Sequence, residues 1–146
     1  MTVRLSSMAA QALATQYGLA QLISGCVYVY SGAQPASADL EPTGDLLAVI
    51  TRNGKPEASP DGLLTVQLGA GWGEIEDARD WVMVARADGV PGWWRAVARG
   101  HLPQGSGQEY IRMDGAVGES LDLDGVTHLQ TGQKIPVAFC ARVPQF

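Results

Sequence analysis

Glu74, Glu76, Asp77 and Asp80 stand close together in the sequence. Paired carboxylates are what glycoside cleavage needs, one to protonate the leaving oxygen and one to act as base or nucleophile. Nothing in the surrounding residues fixes a pair at a defined separation, so a solvated acidic loop is the simpler expectation. Trp72, Trp81, Trp93 and Trp94 raise the related reading of a carbohydrate-binding module that stacks sugars on indole rings. Gly69-Ala70-Gly71-Trp72-Gly73 lacks the Lys-Ser/Thr of a phosphate-binding loop and reads as a hairpin loop. Asp122-x-Asp124-Gly125 resembles the start of a calcium loop, but the later acidic ligands are missing, and a strand end with a turn explains it. His101 and His128 are isolated, without the spacing of a zinc site. Ser106, between Gly105 and Gly107, has no nucleophile-elbow context. The expectation is a non-catalytic protein with no metal and no cofactor.

The elements that would carry these residues are mostly short strands. β-rich runs recur at 26–31, 45–51, 63–68, 80–86, 93–98, 109–114, 120–124 and 134–143, separated by turn signals such as Asn53-Gly54, Asp88-Gly89, Asp114-Gly115 and Asp124-Gly125. About eight strands at this spacing predict a mainly β protein, a sandwich or a barrel. Pro136 lies inside the last run and predicts an edge or a bulge there. Before the strands, Met8, Ala9, Ala12, Leu13, Tyr17, Ala20 and Leu22 fall at helical spacing, which predicts one amphipathic N-terminal helix. Ser6 or Ser7 would cap its start and Gly25 would stop it. One domain is expected over 1–146, with 1–25 as the helix or arm and 26–146 as the β-sandwich.

Consecutive residues of a strand face opposite sides of the sheet, so one of Trp93 and Trp94 should enter the core and the other face a second layer or a partner. Large aromatics beside arginine are the types that anchor protein contacts. Trp94 and Arg95 are therefore candidate interface residues, with Trp72 and Tyr17 beside them. In the stretch Val27–Ile50, Gly32 and Gly44 bracket a loop that Pro35 and Pro42 stiffen, and Asp39 is suited to bonding nearby backbone amides. Gly32, Pro35, Asp39 and Gly44 read as structural.

The chain has 146 residues, with ten basic against fifteen acidic side chains and a formal charge of -5. Dispersed Lys and Arg in an acidic chain argue against nucleic-acid binding. Cys26 and Cys140 show no metal or redox spacing and sit in apolar runs, so buried free thiols are expected, with a disulfide between the first and last strands left open. Ile23-Ser24-Gly25-Cys26 imitates a lipoprotein cleavage box, but Ser6, Ser7, Gln11, Thr15, Gln16 and Gln21 interrupt the apolar run that a signal needs. No segment approaches the ~20 apolar residues of a membrane span, and a soluble protein made without export is the expectation.

Read in order, the chain resembles a family of small virion structural proteins of tailed bacteriophages and prophages. The resemblance rests on an N-terminal helix leading to a "(I/V)Y(T/S)G-x-QP-x-(S/T)AD-x-x-x-TG-x-LLA" segment at Val29–Ala48, a "G-x-(A/P)GW-(F/W)R" segment at Gly89–Arg95, and "DG-x-VG … DL-x-L … GQ-x-(V/I)" at Asp114–Gly118, Leu121–Asp124 and Gly132–Ile135. It spans about Ser6 to Pro144. The loop between Leu68 and Asp80 departs from the pattern, and no contact residues carry over there.

What the resemblance implies is a capsid decoration, or cement, protein with a jelly-roll-like sandwich. It would work as a homo-oligomer, a trimer or dimer, bound to the major capsid protein of the virion and made in the bacterial host cytoplasm. Such proteins stabilise a shell by spreading many weak contacts over it, which multivalency amplifies without catalysis. A head–tail connector or a tail- or fibre-associated protein is the alternative, distinguished by copy number.

Overall fold

The computed structural model describes residues 3–9, 24–68 and 74–142. Its described residues form eleven strands: β1 (Arg4–Leu5), β2 (Cys26–Ser31), β3 (Leu46–Arg52), β4 (Val66–Leu68), β5 (Glu74–Asp77), β6 (Trp81–Ala85), β7 (Pro91–Val97), β8 (Arg112–Ala116), β9 (Leu121–Asp122), β10 (Lys134–Pro136) and β11 (Ala138–Arg142). A 7-stranded sheet has the order β1-β8-β7-β2-β3-β6-β10 and a 4-stranded sheet the order β4-β5-β11-β9, and the paired strands run antiparallel. The mainly β expectation holds.

Alternation along the strands builds the core between the two sheets. Val27 and Val29 of β2 pair with Ile50 and Ala48 of β3, and with Ala96 and Trp94 of β7. Met83 and Ala85 of β6 and Met113 of β8 continue this inner face. Phe139 of the small sheet closes on it, with its ring centroid 5.0 Å from that of Trp81 and 5.1 Å, edge-on, from that of Trp94. Offset or edge-to-face aromatic pairs add about 0.5–1.5 kcal/mol each to the gain from burying their area. Gly115 is required by this packing: the Trp94 ring lies so close to its Cα that an added Cβ would overlap the indole.

Pro136 ends β10, which is the edge strand of the large sheet. At Val137 the chain leaves that sheet and enters β11 of the small one. Proline has no N–H to give to a ladder, so the apolar run 134–143 divides there into two strands in different layers.

Three expectations need correction or restriction. Residues 74–77, expected in a solvated acidic loop, form β5, which pairs with β4 and β11. Cys26 is buried as expected, but Cys140 is exposed, and no disulfide joins them. Residues 7–9 are helical, and Ser6 Oγ accepts the Ala9 N–H at 3.1 Å as an N-cap. The rest of the expected helix, with Tyr17, and the expected Gly69–Gly73 loop, with Trp72, lie outside the described residues. Among the described residues no helix is long and apolar enough to cross a membrane.

Candidate functional site

The most chemically unusual region lies on the other face of the large sheet. In β7 and β8 the residues between the core positions are Trp93, Arg95, Arg112 and Asp114, and the register sets Arg95 directly opposite Asp114. On an open sheet these side chains would meet water. Here all four are at most 0% exposed, because two loops, 32–45 and 98–111, fold over them.

Arg95 holds Asp114 in a two-pronged ion pair, Nε to Oδ1 at 2.7 Å and Nη2 to Oδ2 at 2.9 Å, and its Nη1 donates to the Pro103 carbonyl at 3.0 Å. Arg112 donates to carbonyls of both loops: Leu102 at 2.8 Å, Gly105 at 2.9 Å, Gln104, and Ala38 at 3.5 Å. One guanidinium thus ties the two loops together. Its planar fork of donors suits that role in a way a lysine ammonium does not. Tyr110 lies against Arg112, 4.2 Å from ring centroid to Cζ, and Trp93 lies 5.3 Å from Arg95. Tyr30 stacks on Trp93 with centroids 4.6 Å apart.

Burial pushes the Asp114 carboxyl upward, while the Arg95 hydrogen bonds and the charges of Arg95, Arg112 and Arg4 pull it back. Burial, with the neighbouring Arg95 charge, draws Arg112 down from the guanidinium range. Tyr30 is pushed up to about 12, chiefly by burial. Two buried cations facing one carboxylate are tolerable only because their remaining donors meet carbonyl oxygens.

The loop 32–45 is anchored along its length. Thr43 O accepts the Trp93 indole N–H at 3.2 Å, and Arg4 Nη1 donates to the carbonyls of Pro35 and Ala36. Asp39 accepts from both the backbone N–H and the hydroxyl of Ser7, at 2.8 and 2.6 Å, and so fastens the loop to the helical residues 7–9. Gly107 N–H donates to Asp39 O at 2.8 Å, and Ser106 Oγ accepts the Glu41 N–H at 3.1 Å, which stitches one loop to the other. Gly44 closes the loop at φ +75 against the Ser31 carbonyl, a position where a side chain would clash.

A second polar group sits farther along the same face. Glu57 pairs with Arg86 at 2.7 Å near Tyr28 and Cys26. Burial, and then the Glu57 charge, pushes the Cys26 thiol up to about 11 and the Tyr28 hydroxyl higher still.

The residues singled out for chemistry have structural places. Trp94 and Arg95, expected to anchor a partner, are instead fully buried within the chain: the Trp94 ring lies in the core with its N–H on Ala116 O, and Arg95 is in the ion pair. Trp93 faces the second layer made by the loops. The Trp81 N–H meets Thr65 O at 3.0 Å, so each of these three indoles is sealed from a sugar ring. Asp77 spends one oxygen on the Arg79 N–H and the other on the Phe139 N–H, and Asp80 is paired with Arg52 at 2.7 Å. His101 Nδ1 accepts the Ile111 N–H. Asp122 accepts the Asp124 N–H in a turn, beside a shallow depression lined by both aspartates and 136–138. Among the described residues no three metal-ligating side chains gather.

Sequence reasoning missed Arg112 and placed Asp114 at a strand end, a turn and a resembling segment without assigning it a partner. A signal was present: both alternate with the inward-facing Met113 and therefore share a face with Arg95.

No protein-family model matches the chain, and neither a curated protein nor a solved structure matches it.

Proposed function

We propose that the protein is a non-catalytic structural component of a tailed-bacteriophage virion. In this reading it is a capsid decoration protein that binds the major capsid protein, acts as a homo-oligomer and is made in the bacterial host cytoplasm. The observation that carries the reading is the convergence of the resembling segments. Gly32–Gly44 from the first, Trp93 and Arg95 from the second and Asp114 from the third meet on one face of the large sheet through Trp93–Thr43 and Arg95–Asp114. These members of the resembling segments are spent on holding the cap in place, which suits a protein whose work is contact rather than turnover.

A jelly-roll-like sandwich is the specific architecture that goes with this reading. Its support is that the chain crosses between the two sheets repeatedly, from β3 to β4, β5 to β6, β8 to β9, β9 to β10 and β10 to β11. The in-sheet hairpins β2–β3, β4–β5 and β7–β8, and the steps from β1 to β2 and from β6 to β7 within the large sheet, depart from alternation between sheets.

Virions assembled with and without the protein test the reading. Particles lacking it should lose their contents at lower temperature or on chelation. Equal resistance, or absence of the protein from purified particles, contradicts it. Hundreds of copies per particle are expected, and a copy number of about six to twelve would assign it to the connector or tail instead.

A further inference from the structure

The cap made by the two loops carries two of the three large apolar residues that are most exposed among the described residues. Leu40 is 45% and Leu102 54% exposed, while the third, Val90 at 61%, lies outside both loops. Leu102 O and Ala38 O both accept from Arg112, so the backbones near the two leucines are fixed to one side chain. The Leu40 N–H is held by Ser37 O. Exposed apolar side chains usually sit singly and carry no message. These two stand on loops whose ordering costs buried charges, and an ordered surface loses less entropy when a partner binds.

Charge narrows the occupant. Residues 32–45 contain Asp39, Glu41 and Asp45 and no Lys or Arg. The second loop adds Glu109 against Arg99, and the nearby Arg4 is committed to the Pro35 and Ala36 carbonyls. A symmetric contact of cap with cap would bring Glu41 and Asp45 toward like charges, which opposes a second copy as the occupant.

We propose that this cap, with Leu40 and Leu102 as apolar anchors and Glu41 and Asp45 at its rim, is the face that docks on a partner protein presenting an apolar pocket rimmed by Lys or Arg. Under the decoration reading, on which this identification of the partner rests, that protein is the capsid shell.

The test is rebinding of purified full-length protein to shells stripped of it. Leu40→Glu/Leu102→Glu should bind at least about tenfold more weakly than the wild type, since buried anchors carry most of a contact's energy. Glu41→Lys/Asp45→Lys should also bind more weakly. Val90→Glu should bind like the wild type, and wild-type binding should fall at least about threefold at high salt, where exposed charges are screened. Unchanged thermal melting of the variants, all at exposed positions, separates lost contact from lost fold. Equal binding by the wild type and Leu40→Glu/Leu102→Glu overturns this assignment and leaves the shell reading standing. So does charge reversal that leaves binding unchanged or tightens it. Self-association of the free protein that the leucine substitutions abolish makes a second copy the occupant and also overturns it. Absence of wild-type binding overturns both the assignment and the shell reading.

Discussion

The two faces of the large sheet are buried by opposite means. On the inner face Trp94, Ala96 and Met113 pack against Phe139 and its neighbours, and their contribution is area removed from water. On the outer face the alternate residues of the same strands, Trp93, Arg95, Arg112 and Asp114, are equally dry, yet they are held by an ion pair and by carbonyl oxygens from two loops. The first face tolerates changes of shape in proportion to the space they open or fill. The second depends on every charge keeping its partner, so a single deletion there costs more than the pair is worth.

That contrast is sharpest at Asp114. Asp114→Ala should destabilise by about 3–5 kcal/mol, because Arg95 is left buried and unpaired. Replacing both partners, as Arg95→Met/Asp114→Leu, should cost less than Asp114→Ala alone. Urea unfolding of the three proteins checks this, and a double variant weaker than the single one would break the comparison. On the inner face, Gly115→Ala should cost about 1–3 kcal/mol by forcing a methyl group into the Trp94 ring. A neutral result would mean that β8 can shift away from β7.

Much of the inner face was legible in the sequence and little of the outer one. Apolar runs bounded by Gly, Asn and Asp located most of the strands, since those residues turn the chain and β-branched or aromatic ones fill a pleated surface. Glu74–Asp77 was missed because its acids look solvated; its pairing comes from β4 and from β11, more than sixty residues away. The Trp93-Trp94 step predicts one residue inward and one outward, but not what covers the outward one. That cover is loop, with no periodicity, and its tie to the sheet is Arg112 reaching carbonyl groups, which leave no trace in residue type. Arg95 looked like a surface anchor for the same reason: its partner Asp114 lies 19 residues away. For the candidate site, residue types were visible and their mutual satisfaction was not.

Smaller effects are expected at the margins of the cap. Asp39→Ala should lower stability by about 1 kcal/mol, the usual cost of losing a side-chain bond at a helix start, and should lower the melting temperature. An unchanged melting temperature would mean that Asp39 does not help to fasten the loop.

The smallest effect is expected under alkaline conditions. Cys26 keeps its proton in the folded chain up to about 11, against an ordinary value of 9.0. The unfolded chain binds fewer protons between those values, so the contribution of Cys26 is complete below about pH 9 and is lost as the pH rises toward about 11. Urea midpoints should therefore fall less steeply over that range in Cys26→Ala than in the wild type. Parallel curves would show that the thiol is not sealed beneath the outer face.

The central claim is that Arg112 and its partners hold the two loops as one unit distinct from the apolar core. Native-state hydrogen exchange of Arg112→Met against the wild type tests it most directly. The amides of Glu41 and Gly107, which bridge the loops, should lose protection together, while the β3 and β6 amides that pair across Ile50 and Met83 keep theirs. Unchanged protection at Glu41 and Gly107, or loss of protection everywhere at once, would contradict it.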